Sequence, residues 1–285
     1  MVQEAWLRYH ETPNVLQPEA WLTTVVSRIA LDRLRSAQRR RETYPGVWLP
    51  EPVSELPDPE SAESTRSLLS LGFLHLLETL SPEERAAVVL REAFERSYEE
   101  IAAVIDKSEA ACRQLLSRAK RRLKQERAGR LGPVPETVVQ EFIDALASSD
   151  EERILALLAD DAILFSDGGG RVRAALNPIF GASKVTRFFA GVLRKNSYQY
   201  SVRIIRANGE PAILADADSH ASVLAFAFDG TRITTIYFIA NPDKLSAFSR
   251  DGSSGREPGP SLESLSQGSL NGQAASERQR IEHNR

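Results

Sequence analysis

Polar side chains at helical spacing near the middle of the chain are suited to contact the bases of DNA. Arginine can bond bidentately to guanine, and glutamine to adenine, in the major groove. A helix whose first turns enter the groove would present such side chains to base edges, and basic residues further along it would meet phosphates. The candidate base-contacting residues are Ser108, Glu109, Ala110, Arg113, Gln114, Ser117 and Arg118, and the candidate phosphate-contacting residues are Arg121, Arg122 and Lys124.

Three helix-start signals predict the elements that would position these residues. Ser81–Glu84 and Ser97–Glu100 are capping boxes, and Ser108 is a third candidate cap. One short helix fits between the second and third caps, and Asp106-Lys107 can form a tight turn after it. A short helix, a tight turn and a longer basic helix form the helix-turn-helix pattern. An ordinary helical unit with a solvated basic face would show the same spacing.

A second basic block lies nearer the N-terminus. Its apolar spacing and its proline at the first helical position predict a helix from Pro18 to Arg41. The next stretch is acidic and rich in proline, and dense prolines exclude a continuous helix, so it is predicted to be a linker.

The composition limits the kind of protein. The chain has 285 residues, 42% of them hydrophobic and 26% charged, which allows two or three small packed domains. The formal net charge is −3, so any nucleic-acid binding must come from local basic blocks. The single cysteine, Cys112, excludes an internal disulfide framework and a multi-cysteine metal site. The sequence shows no signal peptide and no apolar run that would span a bilayer, so we expect a cytoplasmic protein without membrane contact.

The C-terminal part has the pattern of an α+β domain. Glu136–Asp150 and Glu151–Ala159 predict two amphipathic helices, and Asp167–Arg171 predicts a turn. Three strands are predicted, at Tyr198–Arg206, Ala221–Phe228 and Thr231–Ile239, the last two joined by a hairpin at Asp229-Gly230. Helices followed by a curved antiparallel sheet indicate an α+β fold. Residues 249–285 lack large apolar side chains and are expected to be disordered.

Several motifs, in the same order, resemble those of extracytoplasmic-function RNA polymerase sigma factors of the sigma-70 family. Pro18–Leu22 and Ala30–Arg35 resemble the region-two signature. Leu80–Arg85, Ser97–Ala102 and Ala111–Leu115 resemble region four. Three further motifs resemble those of the SigJ-like group, which carries a SnoaL-like C-terminal domain. These are Trp48, Leu49, Pro50, Glu51 and Pro52; Asp167, Gly168, Gly169, Gly170 and Arg171; and Asn241, Pro242, Asp243 and Lys244.

The resemblance implies a multidomain chain with all-α sigma regions followed by an α+β domain. The α+β domain would have the cone shape of the nuclear-transport-factor-2-like fold. The implied segments are a truncated region two at 1–44, a proline-rich acidic linker at 45–66, region four at 67–128, the SnoaL-like domain at 134–248 and a disordered tail at 249–285.

The resemblance also implies the partners and the mechanism. Such a protein binds core RNA polymerase and promoter DNA, and its helix-turn-helix recognises the minus-thirty-five element. Its region-two helix meets the minus-ten element, where arginines pair with phosphates and stack on unpaired bases. The positions that fall there are Arg28, Arg33, Arg35, Arg39 and Arg40. The last domain would regulate promoter activity by touching the linker, with Trp48 as a rigid anchor among prolines; alternatively, Trp48 packs locally. No cofactor, metal or enzymatic activity is expected.

The sequence departs from the family at its start. Region two normally begins with further helices, whereas this chain starts at Met1-Val2-Gln3-Glu4, inside the motif. We expect the natural protein to be longer, with Met1 standing where a valine is common. If the start is real, the alternative is a truncated DNA-binding regulator that cannot bind core polymerase.

Two further alternatives come from other classes of protein. A SnoaL-like domain can be an enzyme or a small-molecule binder, because fold does not settle function. The candidate acid and base groups are Asp160, Asp161, Asp216, Asp218, His220, Tyr200 and Tyr237, and the aromatic residues that would line or fill a ligand cavity are Phe165, Phe188, Phe189, Phe226 and Phe238. A helix-turn-helix repressor is the other alternative, although the sequence shows no dimerisation helix.

Overall fold

The computed structural model describes residues 1–54, 70–127, 134–195, 200–217 and 220–248. The chain divides into two compact units, one built from Met1–Tyr44 and Leu74–Ala128 and the other from Pro45–Phe73 and Gly129–Arg285. The first unit therefore combines the two basic segments, and the second combines the linker with the C-terminal domain. The expected disordered tail, 249–285, lies outside the described residues.

The first unit is helical throughout its described part. Helices α1 (Val2–Glu11) and α2 (Pro18–Arg41) come first. Helix α3 (Leu71–Glu78) crosses the boundary between the units and leads into α4 (Pro82–Glu92), α5 (Tyr98–Ile105) and α6 (Glu109–Arg127). The helix predicted from Pro18 to Arg41 is confirmed at both ends.

Local capping interactions set the boundaries of the later helices. The side chains of Ser81 and Ser97 each accept a hydrogen bond from the backbone three residues on, and both predicted capping boxes are complete. Ser108 accepts from the backbone of Ala111 at 3.2 Å, so the third predicted cap is also confirmed. Asp106 ends α5 in the left-handed conformation with φ of 57°. The tight turn predicted at Asp106-Lys107 is therefore present.

Helices α5 and α6 pack on each other and on α4. One stripe of α6 is buried, and it consists of Cys112, Leu115, Leu116, Ala119 and Leu123. Cys112 is completely buried, and burial raises the pKa of its thiol. Cys112 is thus a packing residue, in keeping with its small apolar side chain.

The second unit contains helices α7 (Glu136–Ala147), α8 (Glu151–Leu157) and α9 (Ala182–Lys195) and a six-stranded sheet. The strands are β1 (Leu158–Asp167), β2 (Ile179–Phe180), β3 (Ser201–Ala207), β4 (Glu210–Ala217), β5 (His220–Phe228) and β6 (Ile233–Ile239), in the order β2-β1-β6-β5-β4-β3. One face of the sheet packs against the three helices, around Phe142, Ile154, Val185 and Phe189. Two short 3-10 helices, Pro242–Lys244 and Ser246–Phe248, follow β6.

The opposite face of the sheet carries a second hydrophobic cluster that includes the linker. Leu49 and Leu71 are buried there beside Leu214, Tyr237 and Phe248. Residues of the proline-rich segment therefore belong to the core of the C-terminal domain. Val47 and Leu49 of the linker are thus packed into this unit, which the acidic and proline-rich composition of the linker alone did not indicate.

The sheet corrects several expectations. The second predicted helix ends at Leu157, because Leu158 begins β1, and β1 pairs in parallel with β6, so the sheet is mixed and not purely antiparallel. Strands β1, β2 and β4 and helix α9 had no counterpart in the expectation. Pro211 and two acidic residues interrupt the apolar pattern of β4, and a proline weakens a strand prediction. The predicted hairpin at Asp229-Gly230 is confirmed between β5 and β6.

Candidate nucleic-acid interface and linker-docking site

The exposed face of α6 carries the residues expected to contact bases. With Cys112, Leu115, Leu116 and Ala119 buried, the helical period turns the intervening positions to solvent. All seven of these candidates are exposed, and so is the phosphate-contacting candidate Arg121; the seven are Ser108, Glu109, Ala110, Arg113, Gln114, Ser117 and Arg118. The structure therefore places them on one open face of a helix-turn-helix, where an approaching duplex can reach them.

Arg113 is partly oriented by its neighbours. Its guanidinium lies 3.2 Å from the Glu109 carboxylate and 5.1 Å from the centroid of the Tyr98 ring. Arg91 lies at 5.1 Å from the same ring, so Tyr98 is contacted by two guanidinium groups. More than half of the Arg113 side chain, 54%, remains exposed. These contacts restrict the arginine without removing it from the surface, which reduces the entropy lost when it binds a base.

Arg122 differs from its neighbours on α6. Its guanidinium donates to the backbone oxygen of Thr79 at 2.7 Å and lies 3.3 Å from the Glu84 carboxylate. Arg122 thus ties α6 to the start of α4. The sequence predicted that Arg122 contacts a phosphate, but its guanidinium is bound by Thr79 and Glu84 of the same domain.

The α2 arginines fall into two groups. Arg28 donates to the backbone oxygen of Ala103 on α5 from Nε at 3.2 Å and from Nη2 at 2.6 Å. Arg35 donates to Glu83 on α4 at 2.7 Å, and this hydrogen bond raises the pKa of Arg35 and lowers that of Glu83. Arg28 and Arg35 therefore fasten α2 to the helix-turn-helix unit.

The side chains of the remaining α2 candidates, Arg33, Arg39 and Arg40, are exposed and have no ion-pair or hydrogen-bond partner within the described part of the chain. Arg41 pairs instead with Glu78, which also binds Arg85 at 2.7 Å. Burial lowers the pKa of both Arg41 and Arg85 to about 10, so these two are structural cations. Three of the five expected arginines are thus available to a nucleic acid.

The linker motif is held by a buried ion pair of the second unit. The backbone N–H of Leu49 donates to Asp167 at 2.9 Å, and Lys244 donates to the backbone oxygen of Leu49 at 2.5 Å. Lys244 and Asp167 are themselves 2.6 Å apart. One residue of the linker therefore has both backbone polar groups bound by two motifs that are far apart in sequence. We call Leu49, Asp167 and Lys244 the linker clamp.

Trp48 completes the clamp from one side. The Lys244 ammonium lies 3.4 Å from the centroid of the Trp48 ring, which is cation–π geometry. Pro50 and Pro52 are buried, whereas Glu51 is exposed. The Trp48–Pro52 motif is therefore mostly buried against the domain, with Glu51 as its one exposed side chain.

Glycines in the Asp167–Arg171 turn allow its backbone to lie close to Pro45 of the linker and to Asn241. Gly169 and Gly170 have φ of 63° and 70°, which side chains rarely adopt. A Cβ on Gly170 would come within 2.8 Å of the Pro45 ring, and one on Gly169 would overlap the Asn241 side chain. The backbone of Gly169 also donates to Asp167 at 3.0 Å, and Arg171 pairs with Asp243 at 3.3 Å.

The sequence did not indicate Asn208 as a functional residue, but it forms a second attachment point for the linker. Its side chain accepts from the backbone of Val53 at 3.1 Å, and its backbone donates to Val53 at 2.8 Å. Asn208-Gly209 is a two-residue turn with positive φ between β3 and β4. This dipeptide is a strong hairpin signal and could have identified both β4 and the turn.

The concave face of the sheet opens into a pocket of about 750 Å³. Phe188, Phe189 and Phe238 line this recess or its inner end, and Phe226 lies in the core. Phe165 does not line it, because it lies on the opposite face of the sheet, stacked on Tyr237 at 5.9 Å.

The candidate acids and bases are divided among different places: Tyr200 lines the pocket, whereas Tyr237 stacks on Phe165 on the opposite face of the sheet. Asp160 is at the surface, paired with Arg232 at 3.0 Å, and Asp161 is exposed. The side chains of Asp218 and His220 lie outside the described residues. Among the described side chains there is no group of three His, Cys, Asp or Glu that would hold a metal ion. Nor does any described helix have the length and apolar character to cross a bilayer.

Comparisons with known proteins agree with this architecture. Residues 70–123 match the family model for sigma-70 region 4. The ECF RNA polymerase sigma factor SigJ of Mycobacterium tuberculosis is 36% identical over 262 residues, which cover 86% of this chain and 84% of the relative. The probable ECF sigma factor SigI of the same organism is 32% identical over 255 residues, covering 86% and 85%.

A solved structure shows the same fold along most of the chain. The crystal structure of M. tuberculosis SigJ superposes with a TM-score of 0.67 at 31% identity, covering 86% of this chain and 88% of that chain. The expected fold class, helical sigma regions followed by a SnoaL-like α+β domain, is confirmed. The helix-turn-helix, the linker clamp and these similarities together show that the chain belongs to the extracytoplasmic-function RNA polymerase sigma factors, which act in transcription initiation.

Proposed function

We propose that this sigma factor directs core RNA polymerase, in the cytoplasm, to promoters whose minus-thirty-five element is recognised by the exposed face of α6. The exposure of Arg113 and Gln114 beside a fully buried apolar stripe is the observation that carries the proposal. Arg113 would bond a guanine and Gln114 an adenine, while Arg118 would contact a neighbouring base and Arg121 a phosphate.

The test is run-off transcription with purified core polymerase on DNA selected by the unmodified protein from a random pool. Arg113→Ala and Gln114→Ala should each lower promoter affinity about tenfold and relax the preference at one base pair, because a bidentate contact is lost. Arg153→Ala, an exposed arginine of α8, is the matched control and should change neither value. Unchanged base preference in both α6 variants would contradict the proposed recognition.

We further infer that Arg33, Arg39 and Arg40 meet the minus-ten region. These side chains are exposed, and arginine binds both phosphates and unstacked bases. Arg28 and Arg35 would have to leave Ala103 and Glu83 before they could join them. Replacing the three exposed arginines by glutamine should reduce strand opening, detected by permanganate reactivity, more than it reduces binding to the closed duplex. Equal losses in both measurements would refute a role in melting.

The C-terminal domain is proposed to regulate transcription through the linker. The clamp supports this role, because it holds the segment that connects the two sigma regions along the chain. A protein cut near Leu131 lacks the clamp, and its transcript level should differ from that of the full chain on the same template. Equal transcript levels would argue that the docked domain is only structural. Absence of transcripts from both forms would instead favour a repressor or a regulator unable to bind core polymerase.

A further inference from the structure

The pocket in the second unit has separate charged and apolar regions. Three arginines, Arg171, Arg173 and Arg187, lie at its mouth, and no acidic side chain is among its described lining residues. Arg173 has no hydrogen-bond or ion-pair partner among the described residues, while Arg171 is paired with Asp243 in an exposed, weak contact. Among the described residues, the mouth therefore carries an excess of positive charge, in a chain whose formal net charge is −3.

The inner part of the recess is apolar. A smaller cavity of about 70 Å³ shares five lining residues with the main pocket: Phe188, Val192, Tyr200, Ser222 and Phe238. Its other walls include Leu146, Val202, Ile213 and Leu224. The two cavities thus form one recess that runs from a cationic mouth to an aromatic and aliphatic floor.

We propose that this recess binds an amphipathic carboxylate, with the carboxylate at the arginines and its apolar chain or ring against Phe188 and Phe238. A guanidinium bonds a carboxylate with two parallel N–H donors, and apolar surface gains free energy when it leaves water. A volume of about 750 Å³ lies within the range of small-molecule sites. A dianion or a polar sugar would not cover the apolar floor of the recess. A neutral lipid would leave the arginines without a counter-ion.

The recess and the linker clamp are on opposite faces of the sheet but share two chain segments, so the inference deepens the proposed regulation and rests on it for its consequence. Arg171 is the last residue of the turn that begins at Asp167, and Ala240 of the pocket wall precedes Asn241. The backbone of Ala240 donates to Asp167 at 2.8 Å. A carboxylate that draws Arg171 away from Asp243 would therefore act on both segments that hold Leu49.

Calorimetric titration of the full chain with dodecanoate and with naphthalene-2-carboxylate tests the site without DNA or polymerase. At least one should bind, and dodecanol, which lacks the charge, should bind about tenfold more weakly than dodecanoate because it lacks the charge-assisted hydrogen bonds. The double variant Arg173→Gln, Arg187→Gln should weaken carboxylate binding by a similar factor, whereas Arg153→Gln should not. No binding of either carboxylate, or equal binding of dodecanol, would overturn the proposal.

Gly191 allows a second, independent variant. It lines the pocket on α9, and a Cβ at this position would meet no atom within 4 Å. Gly191→Leu should therefore fill the recess, keep or raise the thermal stability of the unit, and abolish carboxylate binding. Full binding by a folded Gly191→Leu protein would place the ligand elsewhere and refute the site.

Hydrogen exchange at the Leu49 amide, with and without the carboxylate, then tests the link to the clamp. We expect the bound carboxylate to change the protection of the Leu49 amide against exchange. Binding with unchanged protection would leave the site in place and refute its connection to the linker, whatever the outcome of the transcription experiments.

Discussion

At the scale of the residue, Lys244 is a buried cation whose position is fixed by three partners. Its side chain is 6% exposed and that of Asp167 is fully buried, so neither charge is compensated by water. Removing one member of a buried pair leaves the other charge uncompensated, which costs more than the pair itself contributes. The clamp is therefore sensitive to loss of either partner, and the backbone of Leu49 depends on both.

Lys244→Met tests this dependence. We expect it to destabilise the second unit by about 3 kcal/mol or more, because Asp167 stays buried without its counter-ion. Urea unfolding followed by the fluorescence of Trp48, in a background with Trp6→Phe and Trp21→Phe, measures the change. Lys184→Met, at an exposed position of α9, is the matched control, and the double variant Lys244→Met, Asp167→Asn should recover part of the loss. A loss no larger than that of Lys184→Met would contradict the structural role of the ion pair.

Because of the buried carboxyl of Glu210, we expect the free energy of unfolding of the second unit to fall as the pH rises, which is the opposite of the effect of most carboxylates. Burial raises the pKa of its carboxyl from 4.5 to about 7. The folded state therefore binds a proton that the unfolded state has released between these values, so this group's contribution is complete at low pH and is lost as the pH rises through about 7.

Glu210→Gln should remove this dependence and, near pH 8, stabilise the second unit by up to about 3 kcal/mol. Urea unfolding at about pH 5 and pH 8 measures the difference between variant and unmodified protein. Glu136→Gln, exposed at the start of α7, serves as the control for the loss of one charge. If the free energies of unfolding of Glu210→Gln and of the unmodified chain change with pH in parallel, the Glu210 carboxyl does not cause the pH dependence.

At the scale of the element, the helix-turn-helix depends on the left-handed residue that separates its two helices. Asp106 has φ of 57°, where only glycine is free of Cβ strain, and its backbone N–H donates to Ala102. Aspartate tolerates this conformation better than most residues, so the turn forms at a small cost. The geometry of α5 against α6 therefore does not require a glycine at this position.

Asp106→Gly should stabilise the first unit by about 0.5–1 kcal/mol, and Asp106→Ala should destabilise it, because alanine retains the Cβ strain and lacks the polar group. Thermal unfolding by circular dichroism measures both. If the two substitutions shift the midpoint in the same direction, backbone strain at Asp106 does not control the stability of the turn.

Contacts between α2 and the helix-turn-helix are the second feature at this scale. Arg35 bonds Glu83 and Arg28 bonds Ala103, and both contacts are partly exposed. Exposed ion pairs contribute little stability, so α2 can exchange these partners for phosphates at low cost.

At the scale of the whole molecule, the two compact units predict two unfolding transitions. The linker residues from Pro45 to Val53 belong with the C-terminal domain, although they adjoin region two in sequence. Scanning calorimetry should show two transitions, and Lys244→Met should lower only one of them. A single transition that shifts as a whole would show that the units unfold together.

The basic side chains on α6 predict a strong dependence of DNA binding on salt, because each phosphate contact releases counterions, whereas a chain of formal net charge −3 has no general attraction to DNA. Arg121→Ala should reduce the slope of log affinity against log salt by about one and weaken all sequences alike. Arg113→Ala should mainly change the preferred sequence. Identical behaviour of the two variants would refute the division between base and phosphate contacts.

The sequence by itself determined features that arise from neighbouring residues. The capping boxes at Ser81 and Ser97, the left-handed turn at Asp106 and the Asp229-Gly230 hairpin each depend on a few consecutive side chains and the backbone that they contact. The family followed from the order of such short motifs. Caps and turns form between residues a few positions apart, so they can be predicted from the sequence without knowledge of the fold.

Only the tertiary structure decided which polar groups are engaged. It separated Arg28 and Arg35, bound to α5 and α4, from the exposed Arg33, and it brought Lys244 and Asp167 together across 77 residues of sequence. It also showed that Phe165 lies on the face of the sheet opposite the pocket. Burial and pairing of a side chain depend on where distant segments return in space, and one side chain's type and spacing carry no record of its distant partner.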